Sequence, residues 1–260
     1  MGESNRISNL IFKLNIMSIS IKNRVALVTG ANRGIGKAIV ETFIAEGAKK
    51  VYLAVRNVAS TKELEEKYGD KVQTVQLDVS NTESVNKAAE LAQDVEILVN
   101  NAGIGTPHGT LGETAEADFM NQLNINAFGL IRVANAFAGS LVKSKGAIVQ
   151  MNSVASIKNF PPLSTYSASK AAAYSLTQGL RVECGAKGVH VLSVHPGPIE
   201  TEMAKTAGFP EMSPTSVVSE GIVKALANGE FHLFPDEMAK MFEGAYQSFS
   251  ENIVMADMQG

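Results

Sequence analysis

Apolar residues along the chain gather into short dense runs: Val25–Thr29, Val51–Val55, Val72–Leu77, Val95–Val99, Ile148–Met151, Val189–Val194 and Phe231–Phe234. Runs that short and that continuously apolar predict strands buried on both faces, as in a parallel sheet. Between the first two runs, Ile35, Ile39, Val40, Phe43 and Ile44 recur at helical spacing, and Gly47 is placed to stop the helix. Residues 60–70 predict a short polar helix, another helix begins near Thr82, and a long one runs from about Ala115 to Val142. Within it, Asn124-Ile125-Asn126-Ala127-Phe128-Gly129 sets amides among apolar residues. A buried asparagine is costly unless hydrogen-bonded, so this segment either repairs a helix distortion or holds a water. After the fifth run a helix of small residues extends to about Gly188.

Strands and helices alternate throughout, with no repeat, low-complexity tract or linker. This predicts an α/β fold: one Rossmann-type, doubly wound domain of about seven parallel strands with helices on both faces. Strand order 3-2-1-4-5 follows from the spacing, with the switch point between strands one and four. The main domain spans 20–235. Residues 1–19 read as a dispensable N-terminal extension and a candidate for disorder, with Met17 an alternative start. Residues 236–260 form a helical tail in which Met238, Met241, Phe242, Ala245, Tyr246 and Phe249 share a face. That face can cover a neighbouring subunit, lid the cleft or pack on its own domain.

Composition narrows the function. Hydrophobic residues are 45% and charged residues 19% of 260, which suits a soluble protein with a substantial core. A net charge of −3 without a long basic run argues against nucleic acid and anionic membranes as partners. No apolar run approaches the roughly 20 residues that span a bilayer, and Lys13 and Asn15 interrupt the only signal-peptide candidate. Cys184 is the single cysteine, so no intrachain disulfide or thiolate zinc site can form, and it reads as a small packed side chain. A cytoplasmic setting is compatible with this. His108, His190, His195 and His232 show no ligand-like spacing, so no metal is expected, and His190 and His195 read as structural.

Candidate chemistry begins at the first turn. Gly30-Ala31-Asn32-Arg33-Gly34-Ile35-Gly36 joins a strand to a helix, the arrangement that sets a pyrophosphate on a helix N-terminus. The spacing is G-x-x-x-G-x-G rather than G-x-G-x-x-G. Strand two ends Ala54-Val55-Arg56-Asn57 with no acid at its tip to hold a ribose 2′-hydroxyl. Arg56 and Arg33 can instead grip a 2′-phosphate, which favours NADP(H) over NAD(H); alternatively both are solvated. Asp78 can accept from an adenine amino group or cap the helix near Thr82. Asn100-Asn101-Ala102-Gly103 lets backbone approach a ligand and ties strands together through amides. Tyr166 and Lys170 stand four apart on one helical face, where an ammonium would pull the phenol pKa down from about 10. Ser153, just past strand five, can bond the same small substrate.

The ordered set Thr29-Gly30-x-x-x-Gly34-x-Gly36, Asn100-Asn101-Ala102-Gly103, Ser153 with Tyr166-x-x-x-Lys170, and Pro196-Gly197 with Thr201 resembles the short-chain dehydrogenase/reductase family over roughly residues 20–235. The resemblance implies Tyr166 as general acid or base, Lys170 lowering its pKa and bonding the nicotinamide ribose, Ser153 holding the substrate oxygen, and Asn126 anchoring a water that leads from Lys170 to solvent. It implies cofactor contacts at Gly30, Asn32, Arg33, Gly34, Ile35 and Gly36 for the pyrophosphate, Arg56 for the 2′-phosphate, and Asp78 with Val79 for adenine. Asn101, Ala102 and Gly103 would lie along the ribose; Pro196, Gly197, Ile199 and Thr201 would meet the nicotinamide. Asn152 departs from the family by replacing a second serine. Relatives are commonly dimers or tetramers, so a homo-oligomer is expected.

The activity expected is interconversion of a ketone or aldehyde with an alcohol. Phe160 and Met203 would line the substrate end, within the segments Ile157 to Leu163 and Met203 to Met212. Those walls favour a small or medium apolar substrate over a phosphorylated or carrier-bound one. The alternative is a catalytically silent NADP(H)-binding sensor or scaffold on the same fold. An enoyl reductase fits less well, because its tyrosine and lysine are usually further apart.

Overall fold

The computed structural model describes residues 17–256. Its sheet contains β1 (Val25–Thr29), β2 (Lys50–Val55), β3 (Val72–Gln76), β4 (Ile97–Asn100), β5 (Ala147–Met151), β6 (His190–Val194) and β7 (His232–Leu233). All seven are parallel, in the order β3-β2-β1-β4-β5-β6-β7. The helices are α1 (Gly34–Ala45), α2 (Lys62–Tyr68), α3 (Thr82–Leu91), α4 (Ala115–Leu123), α5 (Gly129–Ser144), α6 (Ser164–Gly185), α7 (Glu202–Thr206), α8 (Thr215–Asn228) and α9 (Glu237–Phe249).

Alternation along each strand divides the core into two layers. From β1, Ala26 and Val28 pack with Ile39 and Phe43 of α1 and Ile222 and Leu226 of α8. Val25 and Leu27 face the other way, towards Val85 of α3, Val133 and Phe137 of α5 and Tyr174 of α6. Helices therefore cover both faces, which is why the strands are apolar at every position rather than at every second one. β1 lies between β2 and β4, so the chain crosses from one half of the sheet to the other there and opens a crevice at the strands' carboxyl ends.

Four readings change. The long helix is not continuous: a π-helical turn, Asn124–Phe128, separates α4 from α5. Taken through that turn, Ala115–Ser144 is long and apolar enough by length and composition to cross a bilayer, contrary to the expectation of no such run. Its apolar side is committed to the sheet, where Leu130, Val133, Phe137 and Leu141 are buried. Asp78 does not cap α3. Asn81 does, accepting from the Ser84 amide at 2.9 Å.

The fourth concerns the start of the domain. Packing begins before residue 20: Ile19 is buried and donates its amide to the Leu226 carbonyl at 2.9 Å. Residues 1–16 of the expected extension lie outside the described residues, as do 257–260 of the tail.

Candidate active site

A cleft of about 660 Å³ runs along the carboxyl ends of the strands from β2 to β6, within the range of a cofactor pocket. Of the residues assigned from sequence to catalysis, to the cofactor or, by name, to the substrate, all but Asn126 line it.

At the glycine turn, α1 starts with no acid in its first turn and no side chain bonded across its N-terminus. Its first amides are therefore open to an anion. Gly36 lets this turn lie against the strand: a Cβ there would overlap the Gly30 carbonyl and stand 2.7 Å from Asn101 Nδ2. Asn101 in turn donates to the Thr29 carbonyl at 2.8 Å, while Thr29 Oγ1 accepts from the Asn101 and Ala102 amides at 2.9 Å each. The amide side chain thus joins β1 to β4 at the switch point, as its position suggested.

Arg33 and Arg56 line the cleft beside this turn, and neither makes an ion pair among the described residues. Asp78 accepts from the Ser80 hydroxyl at 2.7 Å and the Ser80 amide at 2.9 Å. The Ser80 hydroxyl bond is the largest influence holding its carboxyl below the usual range, with Arg56 and Arg132 adding to it. Ser60 also faces this end of the cleft and carried no sequence signal.

At the other end, Ser153, Tyr166 and Lys170 meet. Ser153 Oγ accepts from the Ala155 amide at 3.1 Å and donates to the Pro196 carbonyl at 3.3 Å. Lys170 is 6% exposed; its Nζ donates to the Met151 carbonyl at 2.7 Å and stands 5.9 Å from the Tyr166 ring centroid. Burial drives the lysine down to about 8. Burial also pushes the Tyr166 phenol up to about 12, and the Ser153 hydroxyl offsets only part of that. This reverses the direction expected for the tyrosine. Desolvation of the phenol is the largest influence, and the ammonium is turned away to the end of β5.

Asn126 lies behind the cleft wall. Its Oδ1 accepts from the Ile104 amide at 3.0 Å, and its Nδ2 donates to the Ile104 carbonyl at 2.9 Å and Ser169 Oγ at 2.9 Å. It sits in the π-helical turn, whose extra residue swings this side chain towards the loop after β4. Asn152 ties α6 to β6, donating to Thr177 Oγ1 at 3.2 Å and Ser193 Oγ at 2.9 Å. His195 is fully buried, its ring nitrogens bonding Ser156 Oγ at 3.0 Å and Ser193 Oγ at 2.7 Å, a structural role.

The apolar wall comprises Phe160, Leu163, Met203, Phe209 and, from the tail, Met238. Ile157, Pro161, Pro162, Pro210 and Met212 do not reach the cleft. Ile104 and Gly105 line it without having been singled out, although they directly follow the Asn100–Gly103 motif. Met238 was visible only as part of an amphipathic tail.

A family model for short chain dehydrogenases matches residues 24–210. An NADPH-dependent 3-dehydrocapnine reductase of Ornithobacterium rhinotracheale is 35% identical over 201 residues, covering 72% of this chain and 70% of its own. A 3-oxoacyl acyl-carrier-protein reductase of Vibrio cholerae is 33% identical over 202 residues, covering 76% and 82%. The crystal structure of a short chain dehydrogenase from Burkholderia cenocepacia in complex with NADP superposes with a TM-score of 0.83 at 31% identity, covering 92% of this chain and all of that one. With the glycine turn, the parallel sheet and the matched span in agreement, the chain belongs to the short-chain dehydrogenase family of oxidoreductases.

Proposed function

We propose that this protein is an NADP(H)-dependent oxidoreductase interconverting a ketone or aldehyde with an alcohol. The observation that carries the reading is the meeting of Ser153, Tyr166 and Lys170 at one end of a cleft whose other end presents Arg33 and Arg56. The cleft suits a dinucleotide: the Gly36 approach leaves a cradle that any Cβ would fill, and Arg33 in the glycine turn and Arg56 at the acid-free tip of β2 make no ion pair among the described residues. The relatives named above include reductases, one of them NADPH-dependent, and a solved relative holds NADP.

When bound, the nicotinamide supplies or accepts hydride. The chain's own residues handle the oxygen and its proton. Tyr166 remains a phenol across neutral pH and donates its proton as the carbonyl oxygen gains charge. Ser153 Oγ, bonded only weakly to Pro196, can turn to donate to the same oxygen, and this contact strengthens in the transition state. Lys170 holds a positive charge nearby below about pH 8, which stabilises the phenolate left behind. Asn126 fixes the Ile104 backbone beside this group, and the wall of Phe160, Leu163 and Met203 favours a small or medium apolar carbonyl.

A panel of ketones, aldehydes and alcohols with both cofactors tests the reading, paired with Tyr166→Phe. Turnover with NADPH that falls about 10²–10⁴-fold in the variant is expected, since only the proton donor is removed. Retained activity in the variant removes Tyr166 from its role. Tight NADPH binding with no turnover across the panel identifies a silent sensor instead. We also infer assembly through α4–α6, where Met120, Phe128 and Val182 are exposed by 58%, 49% and 61%; ultracentrifugation finding a monomer ends that reading.

A further inference from the structure

The tail helix α9 has no part in the proton and hydride chemistry, yet its first turn is seated in the cleft. Asp236, immediately before it, is 4% exposed. Both of its carboxylate oxygens accept from backbone: Oδ2 from the Gly197 amide at 2.7 Å, and Oδ1 from the Ala239 amide at 3.1 Å. It makes no ion pair among the described residues. One buried carboxylate therefore joins the turn after β6 to the start of a helix 39 residues further on. Charge-assisted bonds to two amides, one of them at a helix N-terminus, satisfy it.

The approach is close enough to dictate the residue opposite. A Cβ on Gly197 would stand 2.6 Å from Asp236 Oδ1 and 3.2 Å from Met238 Cβ. Met238 follows in the first turn, lines the cleft and is 37% exposed. Behind it, Phe242 packs on Phe160 with ring centroids 6.3 Å apart, joining Val154, Phe234 and Ala239 in a small separate apolar cluster. The cleft's apolar wall is thus continuous with the tail, and its position depends on the Asp236 clamp.

We propose that Asp236 is a positioning residue that clamps α9 to the Pro196–Gly197 turn, and that Met238, held by this clamp, sets the upper size of the carbonyl substrate. The second half rests on the carbonyl-reductase reading; the first does not. Asp236→Ser separates the two tethers. A serine still caps α9 through Ala239, but is too short to hold Gly197. Asp236→Ala removes both.

Deuterium exchange at the Gly197 amide reads the clamp without any turnover. At least tenfold faster exchange is expected in Asp236→Ser, with a melting temperature near that of the unaltered chain. Exchange within twofold of the unaltered chain overturns the clamp. Substrate size is read from kcat/KM for a bulky aryl ketone relative to a four-carbon ketone. Met238→Ala should raise that ratio at least fivefold, and Met238→Trp should lower it at least tenfold. In Asp236→Ser, which frees Met238, KM for the aryl ketone should fall at least fivefold relative to that for the four-carbon ketone, with kcat changed less. Ratios unmoved in both Met238 variants of an active enzyme overturn its role in specificity. Absence of turnover with every ketone, aldehyde and alcohol in the unaltered chain overturns the carbonyl reading and that role together, and leaves the clamp decided by exchange.

Discussion

Burial holds Lys170 near 8 and Tyr166 near 12, so at neutral pH the lysine is an ammonium and the tyrosine a phenol. Carbonyl reduction needs both forms. As pH rises through 8 the ammonium is lost first, so kcat/KM for reduction should be flat below about 7 and fall with an apparent pKa near 8. Stability should move the other way. The unfolded lysine titrates near 10.4, so between about 8 and 10.4 the unfolded chain binds more protons, and ΔG of unfolding rises with pH across that window. Urea titrations of the cofactor-free protein at pH 7.5 and 9.5 measure this contribution, and Lys170→Met should remove both dependences. A Lys170→Met variant that keeps the inflection of the rate profile near 8 transfers it to another group. That Tyr166 and Lys170 share a helical face was legible from their spacing. Which way the ammonium turns was not, because it depends on the Met151 carbonyl at the end of a strand 19 residues earlier.

At the scale of elements, the π-helical turn shows what periodicity can and cannot reveal. Asn124 and Asn126 stood out as amides inside an apolar helix, but an extra residue in one turn leaves the flanking 3.6-residue pattern intact on both sides. Asn126 makes three hydrogen bonds, two of them to both backbone groups of Ile104. Asn126→Ala should cost about 3 kcal/mol, at roughly 1 kcal/mol per bond with two backbone groups left unpaired. That corresponds to a melting temperature lower by about 6–12 °C for a domain of this size, with activity reduced as the loop beside Lys170 loosens. A drop under about 2 °C in a calorimetric scan contradicts the assignment. Short-range chemistry misled at α3, where Asp78 carries a suitable side chain but Asn81, directly before Thr82, is the residue that caps the helix. β7 shrank from four expected residues to two at the sheet's edge, where it pairs on one side only.

Over the whole molecule, the sheet order and the cleft followed from the alternation of strands and helices, because parallel strands buried on both faces allow few topologies. The contacts of the tail did not, since an amphipathic face states that something is covered without saying what. The same long-range organisation makes cofactor preference measurable as stability. The cleft reaches from the β2 tip to the turn after β6, so a dinucleotide held along it ties both halves of the sheet in the folded state alone. At about 100 times its Kd, such a ligand stabilises by about 2.7 kcal/mol, which raises the melting temperature of a domain this size by about 5–10 °C. NADPH and NADH differ by one phosphate, and a charge-assisted bond to arginine is worth about 1.5–3 kcal/mol. At equal concentration NADPH should therefore give the larger shift. Arg56→Ala should reduce the NADPH shift towards that of NADH while leaving the NADH shift in place, since Arg56 makes no ion pair among the described residues whose loss would disturb the fold. Equal shifts with both cofactors in the unaltered protein would reject the 2′-phosphate assignment. A variant that loses the two shifts together would instead place Arg56 on the part of the dinucleotide that both cofactors share.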